Sequence, residues 1–217
     1  GILHTIVLSD GHVACVIDGA RLSCVVQARL SDGFRIGLSA EHKTFDEIRT
    51  AFQEARKTLE ALFAHPDRTC LHFEHVVELS PSARRTLYVR AGVLSERMAH
   101  YEFENGIDEI HSFFEKIRES KAPEHIAKQL TFTVALGVQR LTSRWVGNDT
   151  EENLEAIPDP FEVVEYSTNI LNLETHFVEA VSNILQRVEM ARATREQDSR
   201  LDGVLKYIDA HYHELIS

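Results

Sequence analysis

The sequence predicts an α+β protein, with a β-β-α-β-α-β first third and an all-helical remainder. Three observations predict it. Runs rich in β-branched residues, bounded by pairs such as Asp10-Gly11 and Pro66-Asp67, lie only upstream of Glu78. From Ser80 onward apolar residues recur every three or four positions, and breaks such as Asn105-Gly106 separate the periodic stretches. The chain has 217 residues, 43% hydrophobic and 26% charged, which suits one large domain or two modest ones and is too apolar for a disordered chain.

Residues 3–9 and 12–17 read as a hairpin, because Asp10-Gly11 between them suits a two-residue type I′ turn. A short helix follows with Leu22, Val25, Val26 and Leu30 on one face, closed by Asp32-Gly33. Residues 34–39 form the next strand. Its lone glycine, Gly37, allows another backbone to approach closely. Thr44 and Glu47 make a capping box, and Phe45, Ile48, Phe52, Ala55, Leu59 and Leu62 give the helix behind it one apolar face. His65-Pro66-Asp67 ends that helix, and residues 69–77, with Cys70 among them, read as the last strand.

Ser80-Pro81, an N-cap followed by proline in the first turn, starts a helix. Helices are predicted at about 81–103, 107–119, 123–145, 161–166 and 169–193. Ile107, Ile110, Phe114 and Ile117 mark one apolar stripe, and Ile170, Leu173, Phe177, Val181, Ile184 and Val188 a longer one. Ordinary core packing accounts for both. The longer stripe also has nearly the heptad rhythm of a coiled coil, which makes it a candidate dimer helix. Residues 191–200 are polar, either a linker or a helix continuing through solvent. Leu201, Val204, Leu205, Ile208, Tyr212 and Leu215 then line a further amphipathic helix, which stops at Ile216-Ser217 with its apolar face uncovered. The chain is therefore expected to end inside a domain.

Twenty-three basic against 34 acidic residues leave a net charge of -11. A free-standing nucleic-acid binder draws most of its affinity from neutralising phosphates, so these residues alone are not expected to hold DNA. Nine acidic residues and no lysine or arginine lie between Arg144 and Arg187, which reads as a solvated acidic face or, more sharply, a docking surface for a basic partner. No apolar run spans a bilayer and no secretory leader opens the chain, so a cytoplasmic chain without membrane contact is expected.

Cys15, Cys24 and Cys70 form no CxxC pair and read as buried, reduced thiols. His72 and His75 would face opposite sides of a strand, and His211 and His213 would point apart on a helix, so no metal site is expected. The sequence has no GxxxxGK[ST], GxGxxG or GxSxG motif, and acidic pairs such as Asp46-Glu47 sit at helix starts, where the macrodipole favours them. No catalytic residue and no cofactor are expected. Trp145, near Arg140 and Arg144, is either core or the lining of an effector pocket.

Two stretches carry a family resemblance. Residues 34–73, FRIGLSAEHKTFDEIRTAFQEARKTLEALFAHPDRTCLHF, resemble the C-terminal half of a GGDEF-type, diguanylate-cyclase-like domain. The match is to the degenerate form found in bacterial transcription regulators, whose serine-tyrosine-x-glutamate-alanine element is replaced here by Ala51-Phe52-Gln53-Glu54-Ala55. Active cyclases carry their signature on the first hairpin. The corresponding Ser9-Asp10-Gly11-His12-Val13 lacks the paired glycines and the acidic pair, and the family's metal-binding aspartate would precede Gly1. The resemblance thus implies no cyclase activity.

Residues 201–217, LDGVLKYIDAHYHELIS, look like the first helix of an AraC-type double helix-turn-helix domain, with Tyr207, Ile208, His211, Tyr212, Ile216 and Ser217 at the matching positions. In this order the two stretches resemble the central region of a large AraC/XylS-type regulator, including two-component response regulators. The resemblance implies a degenerate GGDEF-like module at 1–78, a helical regulatory or linker domain at 79–195, and a linker with the first helix of a truncated DNA-binding domain at 196–217. A receiver domain or membrane-anchored sensor would lie upstream. The implied role is a non-catalytic, signal-transmitting homodimer that reaches DNA only through the rest of its C-terminal domain. The alternative is a sensor module that binds a small-molecule or nucleotide effector.

Overall fold

The computed structural model describes residues 2–7, 13–17, 19–31, 34–102, 105–145 and 159–211. Strands β1 (Ile2–Val7) and β2 (Val13–Ile17) pair antiparallel, with Val7 opposite Val13. Residues 8–12, which include the Asp10-Gly11 turn, lie outside the described residues. Helix α1 (Leu22–Ser31) follows, then β3 (Ile36–Leu38), α2 (Ile48–Leu62) and β4 (Cys70–His72). β3 and β4 pair in parallel, with α2 packed on both. The predicted order of elements is present, but among the described residues it is divided between two separate two-stranded sheets.

Both strands of the second sheet are shorter than their β-rich runs. Phe34 N–H donates back to Arg29 O (3.2 Å), and beyond His72 the chain enters a 3-10 turn closed by Val76 N–H to Phe73 O (3.0 Å). The turn overrides strand alternation, so His72 and His75 do not diverge: their rings meet edge to face with centroids 6.1 Å apart. Gly37 serves the close approach expected of it. A Cβ there would stand 2.5 Å from Ala55 O and 2.6 Å from Leu59 N, so β3 and α2 touch backbone to backbone. At the start of α2, Glu47 Oε2 accepts the N–H groups of Lys43 (3.2 Å) and Thr44 (3.3 Å). Those bonds, to Thr44 above all, hold the Glu47 carboxyl below its ordinary pKa.

The remainder is helical: α3 (Pro81–His100), α4 (Gly106–Glu119), α5 (Glu124–Trp145), α6 (Pro160–Tyr166) and α7 (Ile170–His211). The starts are capped as the sequence suggests. Ser80 Oγ accepts Ala83 N–H (3.2 Å), Asn105 Oδ1 accepts Ile107 N–H (3.2 Å), and Asp159 Oδ1 accepts Phe161 N–H (2.9 Å). Tyr88 meets Gln129 and Glu96 meets Arg140, so α3 and α5 run side by side in one direction. Arg90 to Ser112 and Arg97 to Glu109 set α4 antiparallel to α3. α3 and α5 come closest at Gly137, where a Cβ would lie 2.1 Å from Ser95 O.

The candidate dimer stripe is used inside the chain. Ile170, Leu173, Phe177, Val181, Ile184 and Val188 are all 0–2% exposed, within the same core as Phe113, Phe114 and Leu130. Phe114 meets Phe177 edge on at 5.9 Å. A helix can satisfy a heptad-like pattern against its own bundle as well as against a second chain, and here the bundle covers it. Residues 191–200 are helical, so α7 is one continuous helix rather than two joined by a linker.

Two surface readings also change. Cys15 and Cys24 are exposed rather than buried, and Cys70 is half-buried, where burial pushes its thiol pKa up. The acidic run is not uniformly solvated: Glu174 is 8% exposed and is held by Arg118 and by His111 Nδ1 (3.0 Å) from α4. Sequence distance hid these partners, which lie 56 and 63 residues away. Among the described residues no helix is long and apolar enough to cross a membrane.

Candidate functional site

Three groups of side chains stand out along α7, at its two ends and along its second half. Its N-terminus forms a joint with the α/β unit. Leu62 and Phe63 are neighbours at the end of α2, yet Leu62 belongs to the small core around Leu71 and Phe63 to the core of the bundle. Phe63 O accepts Ile170 N–H (3.0 Å), so the last turn of α2 abuts the first turn of α7. Arg35 fastens the joint: Nη1 donates to Thr168 O (2.8 Å), and Nη2 donates to Leu62 O and to His65 O (3.4 Å). Burial draws the guanidinium pKa below its usual value and Glu124 partly offsets that. His125 Nδ1 lies 2.8 Å from Glu60 Oε2 and adds a contact at the rim.

His65 gives this joint a pH dependence. Burial first, then the positive charges of Arg68, Lys121 and Arg35, hold its imidazole below the ordinary 6.5. Well above pH 6.5 it is neutral in both folded and unfolded chains. As pH falls below that value the unfolded chain takes up the proton first, so stability is lost until the folded imidazole also protonates. His65→Gln is therefore expected to lose less stability than wild type between neutral and mildly acidic pH, as read from urea unfolding at each pH. Parallel curves for the two proteins would refute the assignment.

The far end of the bundle holds an aromatic and arginine stack. Arg192 lies over the rings of Tyr101 (4.3 Å) and Trp145 (5.3 Å), and Arg195 lies over Trp145 as well (5.6 Å). Tyr101 ends α3 in the left-handed conformation (φ 59), and its hydroxyl donates to Glu189 Oε1 (3.2 Å). Trp145 packs against the core, and its buried Nε1 meets no acceptor among the described residues. The predicted grouping of Trp145 with Arg140 and Arg144 is only partly formed. Arg140 pairs with Glu96 on α3 (3.0 Å), and Arg144 contributes its carbonyl, which accepts from Arg195 Nη1 (3.5 Å). Beside the stack lies a cleft of about 310 Å³ lined by Tyr101, Asn105, Ile107, Ser182, Gln186 and Glu189. No group of three or more His, Cys, Asp or Glu side chains suited to a metal occurs among the described residues.

The described side chains of α7 beyond Arg192 are exposed. Leu201, Val204, Leu205, Tyr207 and Ile208 are 50–65% exposed, and His211 is the last residue of the helix. Tyr212, Ile216 and Ser217, the remaining positions of the helix-turn-helix resemblance, lie outside the described residues. At 3.6 residues per turn, the stripe of Leu201, Val204, Leu205 and Ile208 is rotated by roughly a third of a turn from the stripe buried in the bundle. The two halves of one helix therefore face different directions.

Sequence reasoning missed Arg35, Phe63, Gly137 and Glu174. A signal existed for Gly137, a single glycine inside an otherwise helical pattern. None existed for the others, whose roles depend on partners far along the chain. Compared with known proteins, the chain matches no family model, no curated protein and no solved structure.

Proposed function

We propose that this chain is the regulatory, signal-transmitting and dimerising segment of an AraC-type transcription regulator, with a degenerate GGDEF-like module ahead of its helical domain. The observation that carries this reading is the continuous α7 helix, about 60 Å long at 1.5 Å per residue. Its first turn is bonded to the end of α2, its first half is buried in the bundle, and its second half carries Tyr207 and Ile208 outward. A helix held at one end by one unit and opening another at its far end conveys a displacement or rotation without a flexible break. The segment performs no catalysis and binds no cofactor in this role. DNA contact belongs to the domain that residues 201–217 would open.

The test is made on the whole regulator. It is expected to select a specific duplex from random DNA and to change its occupancy on receiving its signal. One alanine inserted after Thr194 turns the distal helix by about 100° and is expected to uncouple signal from DNA binding. Seven inserted alanines, close to two full turns, are expected to restore the coupling. A whole protein that selects no DNA, or that tolerates the single insertion, would refute the reading.

A second reading is an effector-binding sensor module, for which the open cleft beside Tyr101, lined by Asn105, Gln186 and Glu189, is the candidate site. Binding to the folded state raises stability, so thermal melting in the presence of sugars and nucleotides separates the two readings.

A further inference from the structure

We propose that the outward face of α3 is a homodimer interface, on which α3 of a second copy of this chain lies antiparallel. This rests on the reading that the chain works as a pair, and it replaces the buried α7 stripe as the seam. Val89 and Val93 are 60% and 55% exposed on consecutive turns of α3, and Leu136 of the adjoining α5 is 46% exposed.

Gly92 lies between them, three residues from Val89 and next to Val93. A glycine inside a helix costs about 1 kcal/mol relative to alanine, so its presence calls for a contact that needs it. Gly37 and Gly137 each meet another backbone within 3 Å of a would-be Cβ, whereas at Gly92 no atom of the described residues outside its own helical turn comes within 4 Å. The free space over Gly92 suits the close approach of a second helix, with Val89 and Val93 as the ridge that enters its groove.

Charge selects the direction. An interface between identical copies is isologous, so each α3 meets its own image. With the two-fold axis midway between Val89 and Val93, Val89 faces Val93 of the second copy. Arg85 comes level with Arg97 of the second copy, which is already paired with Glu109, and one residue from Glu96, which shares the face of Val89 and Val93. Arg85 is exposed and has no ion-pair partner among the described residues, and Glu96 is exposed beside Arg140. A parallel pairing would instead set Arg85 on Arg85 and Glu96 on Glu96, and like charges oppose association. Two crossing helices with flanking α5 residues fall at the small end of specific interfaces, about 1,000–1,200 Å² in total. The pairing is therefore expected to vary with protein concentration.

Sedimentation equilibrium of the full chain from low micromolar to millimolar concentration tests the proposal. Wild type is expected to pass from monomer to dimer. Gly92→Leu and Val93→Glu are each expected to weaken association at least tenfold, while Gly92→Leu melts no lower than wild type under dilute, monomeric conditions. In a Cys15→Ser, Cys24→Ser background, a mixture of Val89→Cys and Val93→Cys chains is expected to form the mixed disulfide in preference to either self-disulfide. A wild type that stays monomeric at millimolar concentration overturns both the interface and the pairing reading. A dimer indifferent to Gly92→Leu and Val93→Glu overturns only this interface, as do self-disulfides that outnumber the mixed product.

Discussion

Gly137→Ala is expected to destabilise the bundle by about 2–3 kcal/mol, although alanine is the better helix former. The added Cβ would stand 2.1 Å from Ser95 O and 2.8 Å from Ser95 Cα, inside any tolerable contact. Neither atom can swing aside, because both belong to the backbone of α3. The helices must separate or slide, which loosens the core that Val134, Val138 and Leu141 of α5 share with Leu94 and Met98 of α3. Alanine's propensity advantage of about 1 kcal/mol offsets only part of that loss. For a chain of this length the melting temperature should fall by roughly 5–10 °C. Urea unfolding followed by the fluorescence of Trp145, the single tryptophan, reads the change directly. Gly92→Ala is the control on the same helix pair, and in dilute solution it should gain stability by about 0.5–1 kcal/mol. Equal behaviour of the two variants would show that the α3–α5 contact does not set stability.

Arg35→Met is expected to release the α/β unit from the bundle without unfolding the bundle. The guanidinium joins three carbonyls, two at the end of α2 and one, that of Thr168, just ahead of α7. Hydrogen bonds from a charged donor contribute about 1.5–3 kcal/mol each, so losing the set should cost about 3 kcal/mol at the joint. Methionine keeps much of the aliphatic length and isolates the polar contribution. Hydrogen exchange should rise in β3 and α2, with protection in α4 and α5 retained. Uniform loss of protection across both parts would mean that the two unfold as one unit and that Arg35 is not a local fastener. In the proposed regulator this variant should still bind DNA but respond weakly to its signal.

Gly37 and Phe63 show how far local sequence reaches. Gly37 was legible because a lone glycine in a strand has few uses, and its contact with α2 is one of them. The helix starts at Ser80, Asn105 and Asp159 were legible because a capping side chain acts on backbone groups only two or three residues away. Phe63 was not legible. It extends the apolar face of α2 by one residue, and nothing local distinguishes the core it enters from the one Leu62 enters. Glu174 reads as one more acid in an acidic run until α4 brings Arg118 and His111 to it.

The sequence by itself determined the α+β class, the order of elements, the helix limits to within a few residues save at the end of α7, and the absence of recognised catalytic motifs. These follow from periodicity, capping and turn chemistry, which act between residues within a few positions of one another. Only the tertiary structure decided that the Ile170–Val188 stripe faces inward, that residues 191–200 carry the helix on unbroken, and that Arg35 ties the two parts together. Periodicity shows that a face is apolar but not what covers it. A polar run is equally compatible with a loop and with a helix in solvent. What covers a face, and what holds a joint, depends on contacts between residues far apart in the chain, and those exist only once it has folded.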